Sequence, residues 1–145
     1  MEQDGLELIS LELAVLIRSI TYVSNKQKFG NIDRSGFLLL HQLTSHGTVG
    51  VKQLANEFHL DISTVSRQAS ALENKGFIVR KPDPSDGRAY TLHITEQGVK
   101  EFNLYRNNRL KAINEVLSDW PEEERQVLAR LLKKFNCSLI SKNYP

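Results

Sequence analysis

Residues 82–88 of this chain read Pro82-Asp83-Pro84-Ser85-Asp86-Gly87-Arg88, a charged segment between two short strand-like runs. The run before it covers residues 77–81. In the run after it, residues 90–94, apolar and polar side chains alternate with the period of a half-buried strand. Proline and glycine both interrupt regular secondary structure, so the segment predicts a β-hairpin with a stiff tip. A chain reversal does not itself require Arg88, which adds a cation near the end of the protrusion.

Two short helices are predicted immediately before the hairpin. The first covers about residues 51–58 and the second about residues 62–75, and both carry apolar residues at helical spacing. Asp61 or Ser63 is expected to cap the start of the second helix, and Gly76 suits the left-handed position after its end. Helix, turn, helix and hairpin, in this order, are typical of a winged-helix DNA-binding lobe.

The second of these helices has two different faces. Val65, Ala69 and Leu72 recur at helical spacing and are expected to face the core. The opposite face combines short hydroxyl side chains with Arg67, whose guanidinium can bind guanine through two donors in a major groove. A solvated polar face is the more common explanation of this pattern alone, and the neighbouring hairpin is what favours DNA recognition. The predicted DNA contacts from this helix are Ser63, Thr64, Ser66, Arg67 and Ser70.

The remaining predicted DNA contacts are cations on the hairpin and the adjoining helices. Arginine suits a narrow minor groove better than lysine does, because its guanidinium is planar and weakly hydrated, so Arg88 is predicted to enter that groove. Asp86, two residues earlier, is expected to orient Arg88 by an ion pair. Four further cations are candidates for phosphate contacts, although surface solubility explains each of them equally well. They are Lys52, Lys75, Arg80 and Lys81.

Composition agrees with one globular domain of 145 residues, of which 40% are hydrophobic and 25% charged. The net charge of +2 is small, so DNA binding must depend on where the cations lie. No apolar run approaches the roughly 18 residues that span a bilayer. The acidic N-terminus lacks the basic region of a secretory signal, which favours a cytoplasmic protein. Neither a nucleophile–base pair nor a phosphate-binding glycine loop is visible, which argues against an enzyme.

Long helices are predicted on both sides of the central segment. One covers about residues 6–24, and two more cover about residues 95–118 and a segment opened by Pro121. The first and last of them carry too many apolar residues for the surface of a monomer. The predicted fold class is therefore mainly α with a small β-wing.

One set of residues in the central segment combines a helix-turn-helix pattern with two charged hairpin residues, Asp86 and Arg88, at a set distance from the end of the second helix. The set comprises Leu54-Ala55, Thr64-Val65-Ser66-Arg67, Leu72-Glu73-Asn74-Lys75-Gly76-Phe77-Ile78, Asp86-Gly87-Arg88, Leu92, Thr95 and Gly98. It resembles the MarR family of bacterial winged helix-turn-helix transcriptional regulators. The resemblance is dense over about residues 51–98, and the spacing of Asp86 and Arg88 from Gly76 is its most specific part.

The resemblance implies a homodimer whose N- and C-terminal helices interlock. In the family the helix matching residues 62–75 enters the major groove of double-stranded DNA, and the arginine matching Arg88 enters the minor groove. The target is usually a palindromic operator, and binding usually represses transcription by blocking polymerase. The implied organisation is a single MarR-type domain, residues 1–145, with a winged-helix lobe at about 33–95 and dimerisation helices at about 6–24 and 96–140.

Many MarR-like proteins release DNA when a small phenolic or lipophilic ligand occupies a cleft between the dimerisation helices and the winged lobe. The side chains here that suit such a cleft would also suit an ordinary helical core. They are Ile17, Tyr22, Phe37, His41 and Phe102. The four histidines do not share a helix face at metal-ligand spacing, so neither a metal site nor a cofactor is predicted.

Two other interpretations stay open. A winged-helix lobe can serve protein association, although exposed arginines at positions 67 and 88 are poor apolar anchors for it. A thiol-based redox response would use Cys137, the single cysteine. Apolar neighbours on its helix favour instead a small core or interface side chain, and neither a flanking histidine nor a CxxC motif is present to activate the thiol.

Overall fold

The computed structural model describes residues 2–26 and 28–143. Within them a long helix precedes a central lobe of helices and short strands, and two long helices follow the lobe. The helices are α1 (Glu2–Lys26), α2 (Arg34–His46), α3 (Val51–Phe58), α4 (Ile62–Asn74), α5 (Glu96–Val116) and α6 (Glu122–Asn143), and the strands are β1 (Val49–Gly50), β2 (Ile78–Asp83) and β3 (Asp86–Ile94). A mainly helical fold with a small β-wing confirms the predicted fold class.

The hydrophobic core lies where α2, α3, α4, the sheet and the first half of α5 meet. Every buried apolar side chain of the described chain falls between Ile32 and Tyr105. Val65, Ala69 and Leu72 form the buried face of α4, which confirms the prediction from their spacing. Burial of one large aliphatic side chain contributes about 1.5–3 kcal/mol, so this lobe is where the fold gains its stability.

The strands form an antiparallel sheet in the order β1-β3-β2. Only Pro84 and Ser85 lie between β2 and β3, so pairing extends further into the hairpin than the alternation pattern predicted. The carboxylate of Asp83 accepts hydrogen bonds from the hydroxyl of Ser85 at 2.7 Å and from its backbone N–H at 2.9 Å. These bonds hold the pKa of Asp83 below its usual value and tighten the turn. β1 was not predicted, because two residues are too few to show a periodicity.

The helix ends of the central lobe follow local signals with one exception. Asp33 caps α2 by accepting a hydrogen bond from the N–H of Gly36 at 2.8 Å. Gly76 follows α4 with a φ of 82°, which confirms the predicted left-handed position. The predicted side-chain cap of α4 is wrong. Asp61 occupies the N-cap position without such a bond, and Ser63 supplies none, because this exposed end can leave its first amides to water.

α1, α6 and the second half of α5 expose many apolar side chains in the single chain. On α1 these include Leu6, Leu8, Ile9, Leu11 and Leu16, and on α6 they include Leu131, Leu132, Phe135, Leu139 and Ile140. Arg125 secures the turn between α5 and α6 by donating to the carbonyl oxygen of Leu117 at 2.6 Å and to Oδ1 of Asn114 at 2.9 Å. Among the described residues, no helix has both the length and the apolar character that a bilayer crossing needs.

Candidate nucleic-acid interface

The turn between α3 and α4 depends on a left-handed residue that the sequence pattern did not reveal. His59 ends α3 with φ 55° and ψ 44°, a conformation uncommon for residues other than glycine. The N–H of Leu60 then donates to the carbonyl oxygen of Ala55 at 3.0 Å, which closes the helix end. The chain can therefore reverse within three residues and start α4 at Ile62.

The outer face of α4 carries five of the predicted DNA contacts. Ser63 and Arg67 are exposed, and Thr64, Ser66 and Ser70 are half-buried along the edges of the face. Arg67 donates from Nη2 to Oγ1 of Thr64 at 3.4 Å, which is long for a hydrogen bond. The guanidinium is therefore only weakly held and can bind a ligand. Small hydroxyl side chains around it leave room for a close approach of the helix to another surface.

The hairpin presents Arg88 at an interruption of the strand register. Pro82 pairs with Tyr90, but Asp83 pairs with Asp86, so Arg88 lies between these two pairs on β3. Proline has no N–H to donate, and a register shift beside it is expected for that reason. A bulge of this kind redirects side chains, and the side chain of Arg88 is exposed.

Asp86 orients the hairpin by a different contact from the one predicted. Its Oδ1 accepts a hydrogen bond from the backbone N–H of Arg88 at 3.0 Å. No ion pair joins the Asp86 carboxylate to the Arg88 guanidinium in the part of the chain that the structure describes. Bonding between an Asp side chain and the amide two residues later is the usual local geometry of such turns, and it competes with the ion pair. The predicted ion pair is therefore wrong.

Arg80, predicted as a phosphate contact, directs its guanidinium at α4. Nη2 donates to the carbonyl oxygen of Ser66 at 2.9 Å and to Oγ of Ser70 at 2.8 Å, and Nε lies 3.7 Å from Oε1 of Glu73. The side chain is only 22% exposed. Arg80 and the hydroxyl of Ser70, which was predicted to face DNA, are thus engaged with each other inside the protein.

The three predicted lysine contacts differ in their surroundings. Lys75 donates from Nζ to the carbonyl oxygen of Asn31 at 2.6 Å, which ties the end of α4 to the segment before α2. Lys52 on α3 and Lys81 on β2 are exposed. All three remain on the surface of the central lobe, where a phosphate can reach them.

Comparison with known proteins identifies the family. Residues 32–90 match the model of the MarR family. The uncharacterized HTH-type transcriptional regulator YxaD of Bacillus subtilis (strain 168) is 42% identical over 139 residues, which cover 95% of this chain and 97% of that protein. The chain belongs to the MarR family. It is accordingly a transcriptional regulator that binds DNA and not an enzyme.

Solved structures agree with this MarR-family fold. The chain matches the organohalide-sensing regulator RdhR-CbdbA1625, solved with 2,4-dichlorophenol bound, with a TM-score of 0.78 at 18% identity over 95% of this chain and 83% of that one. It matches the PcaV regulator of Streptomyces coelicolor, solved with its natural ligand, with a TM-score of 0.71 at 19% identity over 88% and 91%. At these identities the likeness concerns the fold alone.

A second candidate site of this MarR-family chain lies between α2 and α5. Phe37 stacks on Phe102 with ring centroids 5.4 Å apart and on Tyr105 at 4.7 Å, and His41 lies 6.1 Å from Phe102. Arg109 lies over the Phe37 ring at 5.9 Å, and Arg106 lies 5.8 Å from the centroid of Phe102. Three of the five predicted cleft residues thus meet.

Other predicted cleft residues lie elsewhere. Ile17 and Tyr22 are on α1, 68% and 62% exposed. Tyr105, which the sequence pattern missed, is central to the aromatic cluster because it shares a face of α5 with Phe102. A surface pocket of about 920 Å³ adjoins it, lined by residues 28–35 together with Lys75, Phe77 and Tyr105.

The described residues were also compared with the requirements of a metal site and of a reactive thiol. Residues 2–26 and 28–143 contain no group of three or more His, Cys, Asp or Glu side chains that could hold a metal ion. Cys137 lies exposed on α6 among the apolar side chains of that helix. Cys137 is therefore part of the exposed apolar surface of α6.

Proposed function

We propose that this regulator is a repressor that binds a palindromic operator as a homodimer, with α4 in the major groove and Arg88 of the hairpin in the minor groove. The observation that carries the proposal is the pair of exposed arginines, Arg67 on α4 and Arg88 on β3, neither with an ion-pair partner in the described chain. Guanidinium groups in such positions suit guanine edges and narrow minor grooves. Ser63, Thr64 and Ser66 would assist from α4, and Lys52, Lys75 and Lys81 would bind phosphates. Such a protein would act in the cytoplasm.

The exposed apolar faces of α1 and α6 support the homodimer. A second copy of the chain, related by a two-fold axis, would cover both faces at once. Two α4 helices in one dimer would then meet successive major grooves, which is why the operator should be palindromic. Repression would follow from exclusion of polymerase at the occupied site.

DNA binding at several salt concentrations tests the proposal. The purified protein is titrated onto the intergenic DNA upstream of its own gene and onto a scrambled duplex of equal length. We expect selective binding of one dimer per palindrome, with log K falling linearly as log salt rises. Arg88→Ala should weaken operator binding about tenfold to a hundredfold, whereas Lys100→Ala, an exposed α5 cation, should have little effect. Equal, weak binding to both duplexes would favour a protein-association module instead.

We further propose that a small phenolic or lipophilic ligand releases the DNA by binding at the aromatic cluster. Phe37, His41 and Phe102 would form the wall, Arg106 and Arg109 would attract an anionic group, and Ile17 and Tyr22 of α1 would close the cleft in the dimer. The phenol bound in RdhR-CbdbA1625 supports this ligand class. The ligand can act only if it binds the DNA-free conformation more tightly than the DNA-bound one.

Release of bound operator by 2,4-dichlorophenol and by benzoate tests the ligand proposal. His41→Gln and Arg109→Met, both at the cluster, should raise the concentration needed for release without changing operator affinity in the absence of ligand. Lys100→Ala is the matched control. Release that is unaffected by the two cluster variants would place the ligand elsewhere.

A further inference from the structure

Arg80 links the two elements that are proposed to contact DNA. It lies on β2, and its Nη2 donates both to the main chain and to a side chain of α4, at Ser66 and Ser70, with distances of 2.9 and 2.8 Å. The two acceptors lie four residues apart, one helical turn, so one guanidinium nitrogen spans a turn of α4. An ion pair to Glu73 at 3.7 Å extends the contact to a third residue of the same face.

The sheet places Arg80 on the side that faces the core. Side chains alternate along a strand, and Ile78, two residues earlier, is 1% exposed. Arg80 is paired across the hairpin with Leu92, which is fully buried. The guanidinium is therefore held between the base of the hairpin and α4. A phosphate would have to compete with Ser66 and Ser70 for its donors.

We propose that Arg80 is a positioning residue that holds the hairpin at a set offset from α4 and thereby sets the sequence selectivity of DNA binding. The proposal rests on the proposed groove contacts of α4 and Arg88. Because Nη2 is bonded to two acceptors on α4 and Nε lies beside Glu73, the contact restrains rotation as well as separation of the hairpin and α4. If the hairpin and α4 move as one unit, an operator must present its major-groove and minor-groove contacts at matching distances. DNA without that arrangement can make either the major-groove or the minor-groove contacts, but not both.

Two substitutions of Arg80 separate positioning from phosphate binding. Arg80→Met removes the charge and the donors, and Arg80→Lys keeps the charge but lacks the planar fork. If Arg80 positions the hairpin, both variants should lose operator affinity by about tenfold, which is the cost of one mismatched base pair. Their binding to scrambled DNA and the salt dependence of that binding should stay close to those of the wild type. If Arg80 instead contacts a phosphate, Arg80→Met should weaken binding to both duplexes equally and lower the slope of log K against log salt by about one. Arg80→Lys should then bind nearly as the wild type does. That result would overturn the proposal.

Ser70→Ala supplies a matched test that leaves every charge in place. If Arg80 acts through Ser70, the double variant with Arg80→Met should lose little more than Arg80→Met alone, because the second change removes a partner already lost. Additive losses would mean that Arg80 and Ser70 each contact DNA independently, and would refute positioning. Thermal unfolding and sedimentation of each variant verify that the fold and the oligomeric state are retained. Should Arg80→Met fail to fold, Ser70→Ala and Arg80→Lys still decide the matter.

Hydrogen exchange of the free protein tests the same contact without DNA. Loss of the Arg80 link should speed exchange of the amides of β2 and β3 and of the C-terminal half of α4, and should leave α6 unchanged. Exchange that is unaltered in Arg80→Lys and in Ser70→Ala would contradict the proposal. Titration of Arg88→Ala onto the operator tests the proposed function separately. If this variant binds as well as the wild type does, the groove assignment fails, whereas hydrogen exchange still tests the role of Arg80.

Discussion

The Asp86 carboxylate bonds to the backbone N–H of Arg88 at 3.0 Å and forms no ion pair with its guanidinium in the described residues. The carboxylate therefore shapes the hairpin main chain, and the arginine side chain stays exposed for an external partner. If the hairpin binds DNA as proposed, the Asp86 charge would repel phosphates, and its hydrogen bond to the main chain would be the reason for an acid at this position.

Replacements of Asp86 should separate its hydrogen bond from its charge. Asp86→Asn keeps a side-chain oxygen that accepts from the N–H of Arg88 and should bind the operator at least as tightly as the wild type, since it removes a charge that repels phosphates. Asp86→Ala loses the acceptor and should weaken operator binding several-fold, by about 1 kcal/mol. Equal weakening by both variants in a fluorescence-anisotropy titration would show that the charge itself is required.

The turn at Asp83 should loosen in acid. Hydrogen bonds from the hydroxyl and then from the N–H of Ser85 hold the pKa of Asp83 below the ordinary value of 3.8. Because the pKa is depressed in the folded state, the stability that these hydrogen bonds contribute is present above the unfolded pKa and is lost as the pH falls through the folded pKa. The amide signal of Ser85, followed by NMR, should therefore titrate with a midpoint below the ordinary value of 3.8. In Asp83→Asn, the control, that shift should be absent.

Glu101 should stabilise the segment that precedes α2. Its carboxylate, 7% exposed on α5, accepts a hydrogen bond from the N–H of Asn31. Glu101→Leu would leave that N–H without its partner and should lower the free energy of unfolding by about 1–3 kcal/mol. Glu101→Gln retains an acceptor and should cost less. Urea denaturation of the two variants measures the difference, and an equal loss in both would show that the charge, which both remove, matters more than the hydrogen bond.

The dimer should depend on the apolar face of α6. Phe135 is 40% exposed in the single chain, and a second copy is proposed to cover it. Phe135→Glu would place a charge in that interface and should weaken self-association by at least about tenfold, since burying an unpaired charge costs several kcal/mol. Lys133→Ala, on the same helix, is the control. Sedimentation equilibrium that gives the same dimer for Phe135→Glu as for wild type would move the interface away from α6.

Local signals were sufficient for most of the helical framework. Their spacing alone predicts that Val65, Ala69 and Leu72 face the core, and its lack of a side chain predicts that Gly76 follows the end of α4. These features depend on neighbours within one or two helical turns. The aromatic cluster was found only in part: Phe37, His41 and Phe102 suited a shared cleft, but the role of Tyr105 required the packing of α5 on α2.

The sequence by itself determined the order of helices and hairpin, the buried face of α4 and the family, because each follows from residues close together along the chain. Only the tertiary structure decided the partners of the charged side chains. Arg80 reaches Ser66, which is 14 residues away, and Glu101 reaches Asn31 across 70 residues. A long charged side chain has many possible partners within reach. Which one it binds is set by the register of the sheet and the packing of the helices, which no local pattern encodes.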